Sequence, residues 1–274
     1  MEYGKKKIRI ELILLIVAVV CILTAVIAAI AVSGGGEDEP EPSPASAEPS
    51  FTPAPTPTPS PVPLTPETPV VADLDIYEDI IFPEEPLDLY IGETGLVLQG
   101  ILSYTGNYLE DGSDSPVQGV CAIKLLNDSG KDISYATLQF ADQLGRELSF
   151  TFSNLPDGWS IIVLEAEKSF YMNDMMLSLA GQLISDEPLD LMPSEIYIED
   201  GGDNSLIVRN ISDADFSNLR FHYKYLYDSE TLLGGISYSC RVGELIMGAA
   251  VSVAPTRYVS GGCRVVRIFD GDGE

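Results

Sequence analysis

Basic charge is scarce in this chain: 15 lysines and arginines stand against 42 aspartates and glutamates, a formal net charge of −27. An excess of that size repels a phosphate backbone and an anionic headgroup alike, so nucleic acid is not an expected partner. Histidine is reduced to His222, between Arg220 and Lys224. Nucleophilic hydrolysis needs a base beside a serine or cysteine, and a lone histidine on the polar side of a strand brings no triad with it. No phosphate-cradling glycine loop and no His/Cys metal spacing occurs. Carboxylate pairs such as Glu84–Glu85 and Glu110–Asp111 are so frequent in an acidic chain that they do not mark a glycosidase. A surface hydrolase is therefore a remote alternative; the expectation is no enzyme and no cofactor. The single tryptophan, Trp159, follows Gly158 at a turn and is read as packing on a sheet edge rather than stacking on a sugar.

Long apolar runs are also rare, and there is one. Residues 12–32, LILLIVAVVCILTAVIAAIAV, are 21 uncharged positions. At about 1.5 Å of rise each they span about 31 Å, the thickness of a bilayer's hydrocarbon. Lys5, Lys6, Lys7 and Arg9 precede the run and an acidic stretch follows it, which orients a single transmembrane helix with residues 1–11 as a cytoplasmic tail and everything after residue 33 outside. The small-x-small sequence Ala29-Ile30-Ala31 suits a signal peptidase, but the run exceeds the usual h-region of about 7–15 residues and is read as a retained signal-anchor in the cell membrane. Glu11 at its head resembles the start of type IV pilin-like subunits, the alternative reading, in which the protein assembles through this helix. Lys6 stands where that family requires a small residue.

Residues 33–72 form a linker rich in proline, threonine and serine. Proline fixes φ and removes backbone donors, so neither helix nor sheet is expected there, and the linker is read as disordered. As polyproline II at about 3.1 Å per residue, the 34 residues from Glu37 to Val70 reach about 105 Å. This spacer would hold the remainder well off the bilayer.

That remainder is written twice. Glu85-Pro-Leu-Asp-Leu89 recurs as Glu187-Pro-Leu-Asp-Leu191, and Tyr108-Leu-Glu-Asp-Gly-Ser-Asp114 as Tyr197-Ile-Glu-Asp-Gly-Gly-Asp203. Asn127-x-Ser129 followed by Asp132-x-Ser134 returns as Asn210-x-Ser212 followed by Asp215-x-Ser217, and Gly158 with Ile161 and Val163 returns as Gly248 with Val251 and Val253. The offsets, 102, 89, 83 and 90, place extra residues before Asn127 in the first copy and after Asn210 in the second. Such changes are expected in surface loops, where closing a longer loop costs little.

Within each copy the period is two. Leu219, Phe221, Tyr223 and Tyr225 alternate with Arg220, His222 and Lys224, and Leu148, Phe150 and Phe152 with Ser149, Thr151 and Ser153. Each pattern predicts a strand with a buried and a wet face. Turn residues punctuate the runs at Asn127–Gly130, Leu144-Gly145 and Pro156–Gly158. Short strands separated by turns predict a mainly β fold of two tandem antiparallel β-sandwiches, residues 73–184 and 185–274.

The order Asn127-x-Ser129, Asp132-Ile133, Leu138-x-Phe140-x-Asp142-x-x-Gly145, Leu155-x-x-Gly158 resembles the immunoglobulin-like modules of the FxLYD type on bacterial and archaeal surface proteins. In the second copy Tyr223-x-Tyr225 leads into Leu226-Tyr227-Asp228-Ser229-Glu230, without the hairpin glycine of that pattern. The resemblance implies a fold and no reaction.

The part beyond residue 33 holds 40 of the 42 acids and 11 of the 15 bases, a net charge of −29. Candidate Ca²⁺ ligands are Asp111, Asp114, Asp200 and Asp203 in the repeated EDG-x-D turns, although the spacing is not that of an EF-hand and a solvated hairpin explains it better. Cys121 alternates with Ile123 and Leu125 as a small buried residue would, while Cys240 and Cys263 are the candidate disulfide. Asn127 and Asn210 each head an Asn-x-Ser sequon at the equivalent turn. The function expected is that of a membrane-tethered extracellular binding or adhesion module. Its partners would be the lipid bilayer and an extracellular protein or cell-envelope component.

Overall fold

The computed structural model describes residues 74–84 and 86–271, and the apolar run, its flanking cations and the linker lie outside them. The described residues fall in one compact unit. Its described part is all β. A short β1 (Tyr77–Ile81) and β2 (Leu89–Tyr90) lead into six strands of the first copy: β3 (Leu96–Asn107), β4 (Pro116–Asn127), β5 (Ile133–Asp142), β6 (Glu147–Leu155), β7 (Ser160–Leu164) and β8 (Leu177–Ser185). Six strands of the second copy follow: β9 (Ile196–Gly202), β10 (Ser205–Asn210), β11 (Phe216–Leu226), β12 (Thr231–Leu245), β13 (Ala250–Val253) and β14 (Cys263–Asp270).

The pairing repeats strand for strand. β3–β4–β7 and β6–β5–β8 in the first copy correspond to β9–β10–β13 and β12–β11–β14 in the second. The copies are then fused, because β7 pairs in parallel with β12 through Ser160–Thr231, Ile161–Leu232 and Ile162–Leu233. One eight-stranded sheet results, in the order β1-β3-β4-β7-β12-β11-β14 with β2 also on β3.

Alternation along that sheet feeds two cores. Leu98, Cys121, Ile123, Ile161 and Val163 face Leu138, Phe150 and Phe152 of β5 and β6, joined by Leu226, Leu232 and Val266 from the second copy. The opposite face, with Leu102, Tyr104, Ala122, Ile162 and Leu164, enters the second core with Leu206, Val208, Phe221 and Tyr223. All five residues of β7 are therefore buried, which is why its sequence, SIIVL, is apolar without alternation apart from its first residue. Cys121 is fully buried, its thiol 3.7 Å from the Met175 sulfur.

The asparagine turns are duplicated atom for atom. Asn127 Nδ2 donates to the carbonyls of Lys131 and Leu155, and its Oδ1 accepts from the Ser129 N–H and hydroxyl. Asn210 Nδ2 donates to the carbonyls of Ala214 and Leu245, and its Oδ1 accepts from the Ser212 N–H and hydroxyl. Asp132 accepts the N–H of Asp157 as Asp215 accepts that of Met247. Both amides are buried and spent, so neither sequon offers its nitrogen to a glycan in the folded chain.

The length differences between copies correct the expectation of loop insertions. β3 and β4 have 12 residues each, against 7 and 6 in β9 and β10, and β12 has 15 against 9 in β6. Most of the added residues lengthen strands rather than loops: in β3 and β4 they extend the ladder, and in β12 they include a bulge at 234–237.

Candidate functional site

The long β3–β4 hairpin reaches over the second copy, and the most heavily charged buried site lies beneath its tip. β12 carries Gly234-Gly235 where it leaves β7, and its register against β11 jumps there, from Tyr225–Leu233 to Tyr223–Tyr238. Gly234 has φ +86°, a left-handed conformation, and a Cβ on Gly235 would land on the Thr151 carbonyl oxygen and the Glu110 carboxylate. Glycine is thus required twice in succession: once for backbone conformation and once for the approach of the first copy.

Two charged side chains clamp this bulge from opposite copies. Lys224, wholly buried, donates from Nζ to the carbonyls of Gly234 (3.1 Å), Gly235 (2.6 Å) and Ile236 (2.8 Å). Glu110 accepts the Gly235 N–H at 2.6 Å through Oε2 and the Leu164 N–H at 2.7 Å through Oε1. Burial raises the Glu110 carboxyl above the ordinary carboxylate range, opposed by the Leu164 N–H and the Lys224 charge. Burial lowers the Lys224 ammonium, opposed by Glu110. The placement of Lys224 on a wet face is thereby corrected: the outer face of β11 and β12 is covered by β6 of the first copy. His222 is half-buried for the same reason, with its Nδ1 3.2 Å from Asn154 Nδ2 and its ring edge-on to Phe269. Burial, then Arg267 and Lys224, lower its pKa.

Polar contacts continue along this seam. Ser153 and Ser237 share a hydrogen bond, and Asn154 Nδ2 also donates to Ser237. Arg257, stacked over Tyr238, reaches back to Asp114 at 2.9 Å and to the Gly112 carbonyl. Arg264 lies 3.9 Å above the ring of Trp159, so that tryptophan packs between copies. Beside the bulge a cleft of about 410 Å³ is lined by Tyr108, Glu110, Asp111, Thr151, Glu167 and Lys168. Its walls are occupied: Lys168 sits 4.2 Å over the Tyr108 ring, and the Tyr108 hydroxyl donates to the Glu165 and Ala166 carbonyls. Glu165, buried, accepts three backbone N–H groups.

The four candidate Ca²⁺ ligands fall in two places. The Ser113 hydroxyl and then its N–H, which donates to Asp111, hold the Asp111 pKa down, and Asp114 pairs with Arg257. Asp200 is raised by burial but more than compensated by the Gly202 N–H, the Ser260 hydroxyl and the Gly261 N–H, for a net lowering. Asp203 occupies the β9–β10 turn with φ +48°. No group of three or more His, Cys, Asp or Glu side chains placed to hold a metal exists among the described residues.

The expected Cys240–Cys263 bridge is corrected by topology. Cys240 pairs with Phe221 and Cys263 with Tyr225, on opposite sides of β11, and both are free thiols. Two strand spacings are about 9.5 Å before the four-residue offset is added, beyond the roughly 7 Å that a disulfide spans between Cα atoms.

Lys224, Gly234-Gly235 and Arg257 were not singled out by sequence. One signal was available: a Gly-Gly pair inside an alternating run marks a bulge or a close approach. No protein-family model matches the chain, and no curated protein matches it.

Proposed function

We propose that this chain is a membrane-tethered surface protein whose fused pair of immunoglobulin-like sandwiches, akin to FxLYD modules, is a non-enzymatic binding or adhesion head serving a cell-envelope partner. The observation that carries this reading is the order of three physically different segments. An uncharged run of 21 residues stands behind four cations, a proline-rich spacer follows, and an all-β unit comes last. A single span with that charge asymmetry directs the remainder outward. The acids and bases of the seam support a binding rather than a catalytic role, since Glu110, Glu165 and Lys224 direct their polar atoms at backbone groups.

Protease added to intact cells tests the proposal, with the chain tagged at both ends. Loss of the C-terminal tag with retention of the N-terminal tag in the carbonate-washed membrane is the expected result. A protected C-terminal tag, or release of the whole chain by carbonate, refutes it.

A further inference from the structure

β8 is the outer strand of β6–β5–β8 and pairs only with β5 among the described residues. Its sequence, LSLAGQLIS, carries no charge, and none occurs from Met175 to Ser185. Sheet edges are ordinarily blunted by charge, proline or cover, because their free N–H and C=O groups template further pairing. Three other edges, β1, β9 and β14, obey that rule. β1 carries Glu78 and Asp79, and β9 carries Glu199 and Asp200. β14, the counterpart of β8, carries Arg264, Arg267 and Asp270, and its outer side is covered by the chain itself: the Ile268 N–H donates to the Asp190 carbonyl at 2.7 Å, and Arg267 lies 3.7 Å from Glu187. The matching segment ahead of the first copy does not pair with β8: Leu89 and Tyr90 pair with Leu98 and Val97 of β3, and the segment reaches β8 only where Gly92 lies beside the Leu179 and Gln182 side chains.

We propose that β8 is a self-association edge, pairing antiparallel with β8 of a second copy of this chain. Three considerations select that occupant. A cationic partner gains nothing at a neutral strip when acids cover so much of the rest, whereas a second copy, with −29 on its own outer part, is repelled least there. The linker cannot supply the strand from within, because its 12 prolines between Pro40 and Pro69 lack the N–H groups a ladder needs. A second copy brings an identical edge, unpaired among the described residues, and a two-fold axis closes both at once.

The register follows from a bulge. Gln139 opposes Gly181 but Phe140 opposes Leu179, so Ala180 interrupts β8, and Gly181–Ser185 is its regular half. Pairing that half with itself places Leu183 opposite Leu183 of the second copy, with Gly181 opposite Ser185. Leu183 is 63% exposed on the sheet's outer face, a large apolar side chain that this pairing covers.

The test uses the full-length chain in detergent with Cys21 replaced by serine. Leu183→Cys, on the axis, is expected to give a disulfide-linked dimer on mild oxidation at least tenfold faster than Leu144→Cys, an equally exposed turn position. Leu183→Asp, which sets two carboxylates face to face, is expected to shift the particle mass from dimer to monomer while leaving the β-type circular dichroism unchanged. Equal crosslinking at both positions, a monomeric parent protein at all concentrations, or β8 amides protected from exchange independently of concentration would each overturn the proposal.

Discussion

Replacing Lys224 by methionine isolates the seam from everything else in the molecule. Methionine keeps a stem of similar length, so packing among the buried neighbours is little changed, but it donates no hydrogen bond. The carbonyls of Gly234, Gly235 and Ile236 lose their common donor. A buried acceptor left alone costs about 1–3 kcal/mol, and three carbonyls share this donor. We expect a loss of about 3–5 kcal/mol, a large part of a total that for most domains is about 5–15 kcal/mol. Urea unfolding of residues 64–274 measures it, with Trp159, between the copies, as the fluorescent reporter. The second arm is Glu110→Gln. With the lysine gone the carboxylate has lost its compensating charge, so this change should cost about 1–3 kcal/mol less in the Lys224→Met background than in the parent. A Lys224→Met loss below about 1 kcal/mol, with the two changes additive to within about 0.5 kcal/mol, would mean that water serves those carbonyls equally well, and the clamp would be refuted.

The same pair sets a pH dependence. Burial raises the folded Glu110 carboxyl above its unfolded value of about 4.3, so its stabilising contribution is complete below that pH and is lost as pH rises through the raised folded value. Parent stability relative to Glu110→Gln should therefore fall across that window in thermal melts; a rise would contradict the assignment. Gly235→Ala, whose Cβ meets the Thr151 carbonyl, is expected to cost more than about 3 kcal/mol, with hydrogen exchange accelerating at β7 and β12 before the outer strands. Asn127→Asp and Asn210→Asp each remove two donations to buried carbonyls, and losses of about 2–4 kcal/mol, similar in the two copies, should appear in urea titrations.

What could be read beforehand was whatever period and turn chemistry encode locally. Leu148, Phe150 and Phe152 are buried between half-exposed neighbours, and the Asn-x-Ser and Asp turns hold the same bonds in both copies. Long-range pairing was not legible. Nothing in SIIVL or TLLGG announces that these strands lie side by side in parallel, because a fully buried strand has lost the alternation that would name its partner. Lys224 was misplaced for a related reason. Its parity in β11 is that of a surface residue, and it is buried because the β12 bulge folds over its ammonium while Glu110 and Thr151 of the first copy close on that bulge. The cysteine pair failed because two strands flanking a third look equivalent to adjacent ones when only sequence is read.

The departures from perfect repetition fall together in space. The extra length of β3 and β4 carries Glu110, Gly112 and Asp114 out to Gly235 and Arg257 of the second copy. The extra length of β12 supplies the glycine bulge and follows the three residues that pair with β7. Position 224 is lysine where its counterpart, 83 residues earlier, is Ala141. Insertions that merely drifted would scatter over surface turns, where closing a longer loop costs little. Here they concentrate at one seam, where the added residues of each copy hydrogen-bond to the other. Among the described residues the same asymmetry leaves the edge of β8 without a second partner strand while Asp190 closes on that of β14.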